Sequence, residues 1–519
     1  MKKNILYLAI FVLPIFSNLS AQNIDYDYSI IKANIEFLAD DLLEGREAAS
    51  RSEKIASLFI AKELQKYGIQ PFGDDGSYFQ QVPLQTKSYS PESSLVIEND
   101  DDKSVLNLGE DLIRISRGTP SKKYWEQNTD LVFGGFGITA EEYNYDDYAE
   151  LDLKGKTVVL ALGEPHSERE DFFEGEKDTD YSRSAYKIKN AQKKGAVGVL
   201  FLPSERVLSF WDRYKSWTMG KSFALVKEEG NSTESDNLPS FAISKNALEY
   251  LFEGEEVSFA ELDELLKQNI SPAGFEINKK VTFHLIQESK IVNARNVVGI
   301  LNGTDEKLKD EYVTVGAHYD HVGTAESGED KVYNGADDNA SGTVAVLESA
   351  RTLAEAKNNR RPVVFVFHTA EEKGLLGAEY FTNNSKIIDQ VIANINMDMV
   401  GRENVDSIYN IGSYKLSTQF GDLIKKVNEE TVKFNFDYRF DAPDDPNRFY
   451  SRSDHYHYAK RGIPIVFFFD WMKEDYHKLT DEVAKINFTK IKKVSLLTHN
   501  IVLNVANLDE KPVVDHAIE

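Results

Sequence analysis

Apolar residues in the C-terminal half recur in short runs separated by segments with helical spacing. The runs at residues 313–317, 363–367, 392–397 and 463–469 predict buried strands, and residues 342–356 place their apolar side chains on one face of a helix. Strands that alternate with helices imply crossover connections and a largely parallel sheet covered on both faces. We therefore predict an α/β fold, with a mostly parallel mixed sheet sandwiched by helices.

The pattern differs in the rest of the chain. Residues 30–81 read as helical, and Gly68 is placed to end one helix as a C-terminal cap. From about residue 96, short apolar runs separated by glycine and acidic turns predict strands, for example at 157–162 and 195–201. The pattern predicts a mainly β domain that ends near residue 272.

The N-terminus has the character of a targeting segment. Lys2 and Lys3 precede the uncharged, mostly apolar residues 5–16, and small and polar residues follow to position 21. This arrangement is typical of a secretory signal peptide, and the apolar run is too short to span a bilayer. We expect residues 1–21 to be removed, the protein to be secreted or periplasmic, and the mature chain to have no integral membrane segment.

Composition limits the kinds of partner and metal site that the protein can have. The chain has 519 residues, a net charge of −25 and no cysteine. This length favours two domains, and the acidic balance makes nucleic acid an improbable partner. Without thiolates, a metal ion must be held by histidine, carboxylate or carbonyl groups.

Candidate ligands cluster just after the predicted strands. Six of the ten histidines fall between residues 318 and 477. In a parallel sheet, loops at the carboxyl ends of strands form ligand sites. Each loop taken alone has an ordinary explanation, such as a hydrogen-bonded histidine or a capping carboxylate. Together, five loops supply His318, Asp337, Glu372, Asp398 and His477.

Two imidazoles and three carboxylates suit a pair of divalent metal ions, with zinc as the first candidate. Imidazole ligands argue against magnesium and calcium, whereas cobalt and manganese remain alternatives. Asp320 lies two residues after His318, where a carboxylate can hold the second ring nitrogen of the histidine. Glu371 and Glu372 are adjacent and should diverge, so that one binds metal while the other transfers a proton.

These motifs resemble one family when they are taken in order. The segments at residues 318–320, 335–342, 370–374, 396–398 and 476–477 are similar to those of the co-catalytic dizinc exopeptidases. That family includes secreted bacterial aminopeptidases, glutamate carboxypeptidases and, with a reduced metal site, glutaminyl cyclases. The resemblance covers almost the whole chain after the signal peptide and implies the zinc exopeptidase fold.

The resemblance also implies roles for the ligands. Asp337 would bridge the two ions, Glu372 and His477 would complete one site, and His318 and Asp398 would complete the other. In this family a non-proline cis peptide is common at the bridging loop, which places it here between Asp337 and Asp338.

Further roles follow from the same resemblance. Glu371 would be the general base. Tyr450 matches a tyrosine that contacts the oxyanion in some aminopeptidases, and Tyr476 is the alternative from the carboxypeptidase branch. His455 belongs to a Ser-Asp-His motif but is expected outside the ligand set.

The middle of the chain resembles a protease-associated domain. The similarity lies at residues 132–137, 153–159 and 190–201. Because such domains are inserted into the peptidase fold, we expect a discontinuous peptidase domain at 24–95 and 276–519 and an insert at 96–275.

The function implied is that of a secreted metallo-exopeptidase acting on peptides, foremost an aminopeptidase. A carboxypeptidase is an alternative, because a free carboxylate would need an arginine partner. The candidates for that partner are Arg402, Arg448, Arg452 and Arg461. A non-catalytic, receptor-like relative is a second alternative, but no ligand is missing. The complete ligand set also disfavours a cyclase.

Overall fold

The structure is a computed structural model that describes most of the chain. It covers residues 28–517, apart from residues 100–101, 116–123, 167–170, 176, 227–237, 269, 271–272, 326, 403, 444 and 472–473. The predicted signal peptide lies outside the described residues. Among the helices described, none combines the length and the apolar character needed to cross a bilayer.

Both halves of the chain contain helices and strands. The helices are α1 (Tyr28–Leu38), α2 (Arg51–Lys66), α3 (Ser184–Lys193), α4 (Glu205–Ser209), α5 (Trp211–Met219), α6 (Lys245–Phe252), α7 (Phe259–Lys267), α8 (Gly342–Ala356), α9 (Leu376–Asn384), α10 (Thr418–Glu430), α11 (His455–Ala459) and α12 (Phe488–Ala506). The strands are β1 (Gln70–Pro71), β2 (Phe79–Tyr89), β3 (Ser94–Glu98), β4 (Lys103–Asn107), β5 (Leu112–Ile113), β6 (Tyr124–Phe133), β7 (Thr139–Ala140), β8 (Tyr145–Asp146), β9 (Thr157–Ala161), β10 (Gly198–Leu202), β11 (Ser222–Leu225), β12 (Ser240–Ile243), β13 (Phe275–Leu301), β14 (Tyr312–His318), β15 (Val363–His368), β16 (Val391–Asp398), β17 (Ser407–Ile411), β18 (Asn435–Asp437) and β19 (Ile465–Phe469).

The chain forms two compact units. The first unit comprises the residues up to Pro83 and those from Asn293 onward, and the second unit comprises Leu84–Val292. Sequence analysis places these divisions at residues 95/96 and 275/276. The difference at the second division falls within β13, a single strand of 27 residues whose two ends pair in different units.

The first unit contains a mixed sheet with a parallel centre. Its strands lie in the order β1, β13, β15, β14, β16, β19, β17 and β18. The four strands β15, β14, β16 and β19 are parallel, and β13 and β17 run antiparallel on either side of them. This order confirms the predicted α/β class with a mostly parallel centre.

Both faces of this sheet are buried. Along β15, Phe365 and Phe367 pack into one apolar cluster with residues of α1, α2, α8, α10 and α12. The alternate residues Val364 and Val366 pack into a second cluster with residues of α9 and α11. Because side chains alternate across a strand, a run that is apolar at every position requires cover on both faces.

The second unit is also built around strands. β6, β9, β10 and β12 pair in parallel, and β5, β13, β3 and β4 extend the sheet with antiparallel pairs. The strands β9, β10 and β12 are buried at every position. This agrees with the predicted mainly β domain, which also contains helices α3 to α7.

Candidate metal centre

The predicted ligands lie at one edge of the sheet in the first unit. His318 is the last residue of β14, and Asp398 is the last residue of β16. Glu371 and Glu372 follow β15, which ends at His368. Because these strands are parallel and adjacent, their carboxyl ends bring the side chains together.

One group of side chains centres on His318. Its Nε2 lies 3.2 Å from Asp398 Oδ1 and 3.4 Å from Asp338 Oδ1. Glu371 Oε2 lies 3.9 Å from the same nitrogen. His318, Asp338 and Asp398 can present three ligand atoms within 4.8 Å of one another, and all three residues are buried.

A second group centres on Glu372. His477 Nε2 lies 2.8 Å from Glu372 Oε2 and 3.4 Å from Asp338 Oδ2. His321 Nδ1 lies 2.7 Å from Glu372 Oε1. Asp338 therefore directs one carboxylate oxygen to each group, which is the position expected of a bridging ligand.

The carboxylate that lies between the two groups is that of Asp338, and not that of Asp337 as predicted. Asp337 Oδ1 accepts a hydrogen bond from the Gly401 N–H at 2.7 Å, and neither group includes this carboxylate. The cis peptide bond also lies one residue later than expected, between Asp338 and Asn339. Adjacent side chains in this loop point in different directions. Asp338 therefore faces the two groups, whereas Asp337 binds the backbone of Gly401.

Asp320 supports the site through different atoms than predicted. His318 Nδ1 lies 3.1 Å from the main-chain oxygen of Asp320, whereas the nearest carboxylate oxygen is 3.9 Å away. That carboxylate accepts the N–H of Glu371 at 3.1 Å. Asp320 thus connects the histidine loop with the loop that carries Glu371.

The two candidate tyrosines occupy different cavities. Tyr450 lines a cavity of about 290 Å³ with Lys415 and Arg448, and the carboxylates of the two groups are absent from its lining. Tyr476 lines the cavity that contains Asp338 and both glutamates. The structure therefore favours Tyr476 over Tyr450 as the residue next to the site. Arg452 Nη2 donates to the Tyr476 hydroxyl at 3.1 Å.

The site cavity has a polar side and an apolar side. Its polar lining consists of Asp338, Glu371, Glu372, Asp398, Arg452, Tyr476 and His477. Its apolar lining consists of Met399, Phe449, Phe467, Phe469 and Trp471. An apolar wall therefore lies beside the carboxylates.

Burial and charge shift the pKa values of the site in opposite directions. Burial raises the pKa of Glu371 well above its ordinary value, and the charges of Asp398 and Glu372 add to the shift. Burial acts on Glu372 in the same direction, but contact with His477 and His321 outweighs it and lowers its pKa. Burial alone would lower the pKa of His477, yet the neighbouring carboxylates raise it to about 10.

These residues fit a metal centre. In the described part of the chain, His321 Nε2 is a buried atom without a hydrogen-bond partner, whereas Asp338 Oδ2 and His477 Nε2 lie 3.4 Å apart. Converging buried carboxylates are costly unless a cation or hydrogen bonds compensate them. Nitrogen and oxygen ligands of this kind suit zinc.

A buried ionic network behind the ligands was missed by sequence reasoning. The Asp481 carboxylate accepts the N–H groups of both Asp337 and Asp338 at 3.0 Å. Arg402 donates to Asp481 and, at 2.9 Å, to Asp475. Arg402 is therefore committed to holding the ligand loop rather than a substrate carboxylate.

The other three arginines that were candidates for binding a substrate carboxylate lie in different places. Arg461 donates to Asn383 at 2.6 Å, and Arg448 lines the Tyr450 cavity. Arg452 is the one of the four that lines the site cavity. His455, as expected, is outside both groups, and its Nε2 lies 2.8 Å from the Tyr450 carbonyl oxygen.

His321 was also missed, although it stands three residues after His318 in the same motif. Its backbone pairs with Glu47 in an isolated bridge, and its imidazole faces Glu372. The spacing alone did not reveal this, because a loop rather than a regular strand carries the second histidine.

Comparison with known protein families finds two matching segments in this chain. Residues 296–502 match the profile of peptidase family M28, and residues 127–251 match that of the PA domain. The first unit therefore contains a segment similar to peptidase family M28, and the second unit contains a segment similar to the PA domain. Both findings confirm the predicted resemblance.

Individual curated relatives share only moderate sequence identity with this chain. Leucine aminopeptidase 2 from Trichophyton rubrum is 26% identical over 235 residues, which cover 40% of this chain and 44% of the relative. A glutamate carboxypeptidase 2 homolog from Caenorhabditis briggsae is 24% identical over 410 residues, which cover 68% of this chain and 49% of the relative. The chain thus spans less than half the length of these curated relatives.

Solved structures share the fold over nearly the whole chain. The aminopeptidase from Aneurinibacillus sp. strain AM-1 has a TM-score of 0.57 at 20% identity and covers 95% of this chain and 96% of its own. A zinc aminopeptidase from Bacillus subtilis has a TM-score of 0.52 at 19% identity, with 93% and 96% covered. At these identities the likeness shows the fold.

Proposed function

We propose that the chain is an exported, metal-dependent exopeptidase that removes amino-terminal residues from peptides. The observation that carries the proposal is the pair of side-chain groups that share Asp338, with Glu371 next to the first group. Export rests on the character of residues 1–21.

Two zinc ions fit the two groups. His318 and Asp398 would hold one ion, Glu372 and His477 would hold the other, and Asp338 would contribute one oxygen to each. His321 would orient Glu372 through their 2.7 Å contact. When bound, the ions would supply the positive charge that lowers the pKa of water and polarises a scissile carbonyl.

The proton transfers belong to Glu371. Its carboxylate lies at the edge of the first group, and burial favours its protonated form. A carboxylate with a raised pKa can accept a proton from the attacking water and return it to the leaving amine. The Tyr476 hydroxyl, held by Arg452, is available to donate to the oxyanion.

The apolar wall of the cavity supports a preference for substrates with an apolar amino-terminal side chain. Phe449, Phe467, Phe469 and Trp471 form most of this wall. An apolar side chain packed against this wall would gain about 25 cal/mol per Å² of apolar area that it buries. The name of the Trichophyton relative, leucine aminopeptidase 2, is in keeping with this preference.

A carboxypeptidase is the second candidate. Arg452 lines the site cavity and carries a guanidinium that can bind a carboxylate. Against this, Arg452 already contacts Tyr476 and lies over the Phe449 ring at 5.0 Å. A non-catalytic relative is disfavoured because both groups are complete.

One experiment separates these possibilities. Wild type and Glu371→Gln are assayed on matched peptides blocked at the amino or the carboxyl end, with and without chelator, and their zinc content is measured. The proposal expects about two zinc ions in both proteins, cleavage by wild type of carboxyl-blocked peptides only, and a 10²–10⁴-fold lower kcat in the variant. Cleavage of amino-blocked peptides alone would indicate a carboxypeptidase. An active Glu371→Gln would show that the base lies elsewhere, and Glu306→Gln, on an exposed side chain, serves as the control.

A further inference from the structure

A fully buried arginine lies behind the candidate metal centre and does not belong to either ligand group. Arg46 ends the short segment Asp41–Arg46 and is 1% exposed. In the described part of the chain, its guanidinium hydrogen bonds all go to main-chain carbonyls. Nε donates to Tyr319 at 2.9 Å, Nη1 to Asn334 at 2.7 Å and to Leu38, and Nη2 to Gly335 at 3.0 Å.

These carbonyls belong to the two loops that carry ligands. Tyr319 directly follows His318, and Gly335 lies three residues before Asp338. The planar guanidinium has a fixed arrangement of donors, so it can hold several carbonyls at set positions. One side chain therefore connects both loops with the end of α1.

The backbone around Arg46 contacts the same region. The His321 N–H donates to the Arg46 carbonyl at 3.2 Å, and the Gly323 N–H donates to the Gly45 carbonyl at 3.1 Å. Lys373, next to Glu372, donates to Glu47 at 2.9 Å. Residues 45–47 thus touch the loops that follow β14 and β15 as well as the loop that carries Asp338.

Keeping this charge buried is costly. Burial lowers the pKa of Arg46 to about 10, although the charges of Asp481, Asp338, Asp320 and Glu372 oppose the shift. A cation this close to the ligands repels a second cation. The hydrogen bonds of Arg46 therefore favour metal binding by holding the loops in place, whereas its positive charge disfavours metal binding.

We propose that Arg46 is a positioning residue that fixes the His318 loop against the Asp338 loop and thereby strengthens zinc binding. The inference rests on the proposed metal centre. It assigns to the N-terminal segment a part in metal affinity, although that segment supplies no ligand.

The test is the zinc dissociation constant, measured by competition with a chromophoric chelator. Arg46→Met removes the donors and the charge but keeps an apolar stem. We expect its dissociation constant to rise 10–100-fold, as for the loss of other groups that orient metal ligands. Arg46→Lys keeps the charge with three donors and should show a smaller rise; it also provides the test if Arg46→Met fails to fold.

Arg361→Met is the matched control. Arg361 is equally buried and also donates to main-chain carbonyls, those of Ala506 and Leu508, and in addition it pairs with Glu311 at 2.7 Å. It precedes β15, at the opposite end of the strand from His368. The control should lower the melting temperature of the metal-free protein and leave the zinc dissociation constant unchanged.

Three results would count against the inference. If Arg46→Met binds zinc as wild type does, or changes only the melting temperature as Arg361→Met does, Arg46 is merely structural. If Arg46→Met binds zinc more tightly, its charge outweighs its geometry. If wild type binds no zinc, the proposed function fails and the inference fails with it, which distinguishes this case from the other two.

Discussion

The two adjacent aspartates of the loop before α8 have carboxylates with different partners. Asp338 faces the histidines of both groups, whereas Asp337 accepts the Gly401 N–H. Sequence motifs identify this loop and its acids, but they do not determine the direction of each side chain. In a strand or helix the period would settle that direction, and an irregular loop has no period.

We expect Asp338→Asn and Asp337→Asn to affect different properties. Asp338→Asn removes the shared ligand and should abolish binding of at least one zinc ion. Asp337→Asn should keep both ions and instead lower the free energy of unfolding by about 1–3 kcal/mol, because the buried carboxylate that faces Arg402 Nε at 3.9 Å is lost. Metal analysis and chelator-treated denaturation curves measure the two effects. Loss of zinc from Asp337→Asn alone would restore the original assignment.

Zinc binding should also depend on pH. In the metal-free protein, burial lowers the pKa of His318, but Asp398, Glu371 and Asp338 raise it well above its ordinary value, and the pKa of His477 is about 10. Both imidazoles are therefore protonated at neutral pH and must lose their protons to bind zinc.

The apparent affinity for each zinc ion should accordingly rise by up to about 10-fold per pH unit near neutrality, and the product of the two affinities by up to about 100-fold, because each site releases one proton. The contribution of these histidines to the stability of the metal-free protein changes with pH in the opposite direction. The contribution of His477 is complete below about pH 6.5 and is lost as pH rises through about 10. Calorimetry of zinc binding in two buffers of different ionisation enthalpy gives the number of protons. Release of fewer than one proton would contradict the expected imidazolium states.

At the level of elements, buried strands and their following loops were predictable. The run at residues 363–367 corresponds to Val363–His368, and the helix predicted at 342–356 is Gly342–Ala356. A strand that is buried on both faces is apolar at every position, and such a run is easy to recognise in a sequence. The unit boundaries were less predictable, because β2 and β13 are long strands that continue across them without a change in pattern.

Short irregular elements were the least predictable. Tyr450 lies in the 3-10 turn Phe449–Ser451, where successive side chains line different cavities. The proposal that Tyr450 reaches the site depended on resemblance alone. Spacing within such a turn does not determine which residue faces the carboxylates.

Gly45 tests how tightly the N-terminal segment packs against the ligand loops. It has φ +65°, and a Cβ there would lie 2.2 Å from the Gly323 carbonyl oxygen. Gly68, after α2, has φ +79° but no atom within 4 Å of an added Cβ. Gly68→Ala should cost about 1 kcal/mol from backbone strain, and Gly45→Ala about 3 kcal/mol from strain plus the clash. Denaturant unfolding of the two metal-free variants measures the difference. Equal costs would mean that the Gly45 contact relaxes.

For the whole molecule, the location of the ligands predicts which segments metal binding protects from local unfolding. The ligands of the two groups at the sheet edge, and Arg46 behind them, lie in the first unit, and the PA domain matches residues of the second unit. A ligand that binds only the native state suppresses the local openings of the segments that hold it.

Zinc should therefore slow amide exchange most in the segments 318–323, 335–341, 369–377 and 475–482. Helices α6 and α7 of the second unit provide an internal control, because they supply no ligand. Hydrogen exchange with mass spectrometry on the full chain, with zinc and with chelator, compares the two regions. Chelation should speed exchange in the four segments and leave the control helices within error. Equal acceleration in α6 and α7 would show that the metal stabilises both units together, and no change in the four segments would place the metal somewhere else.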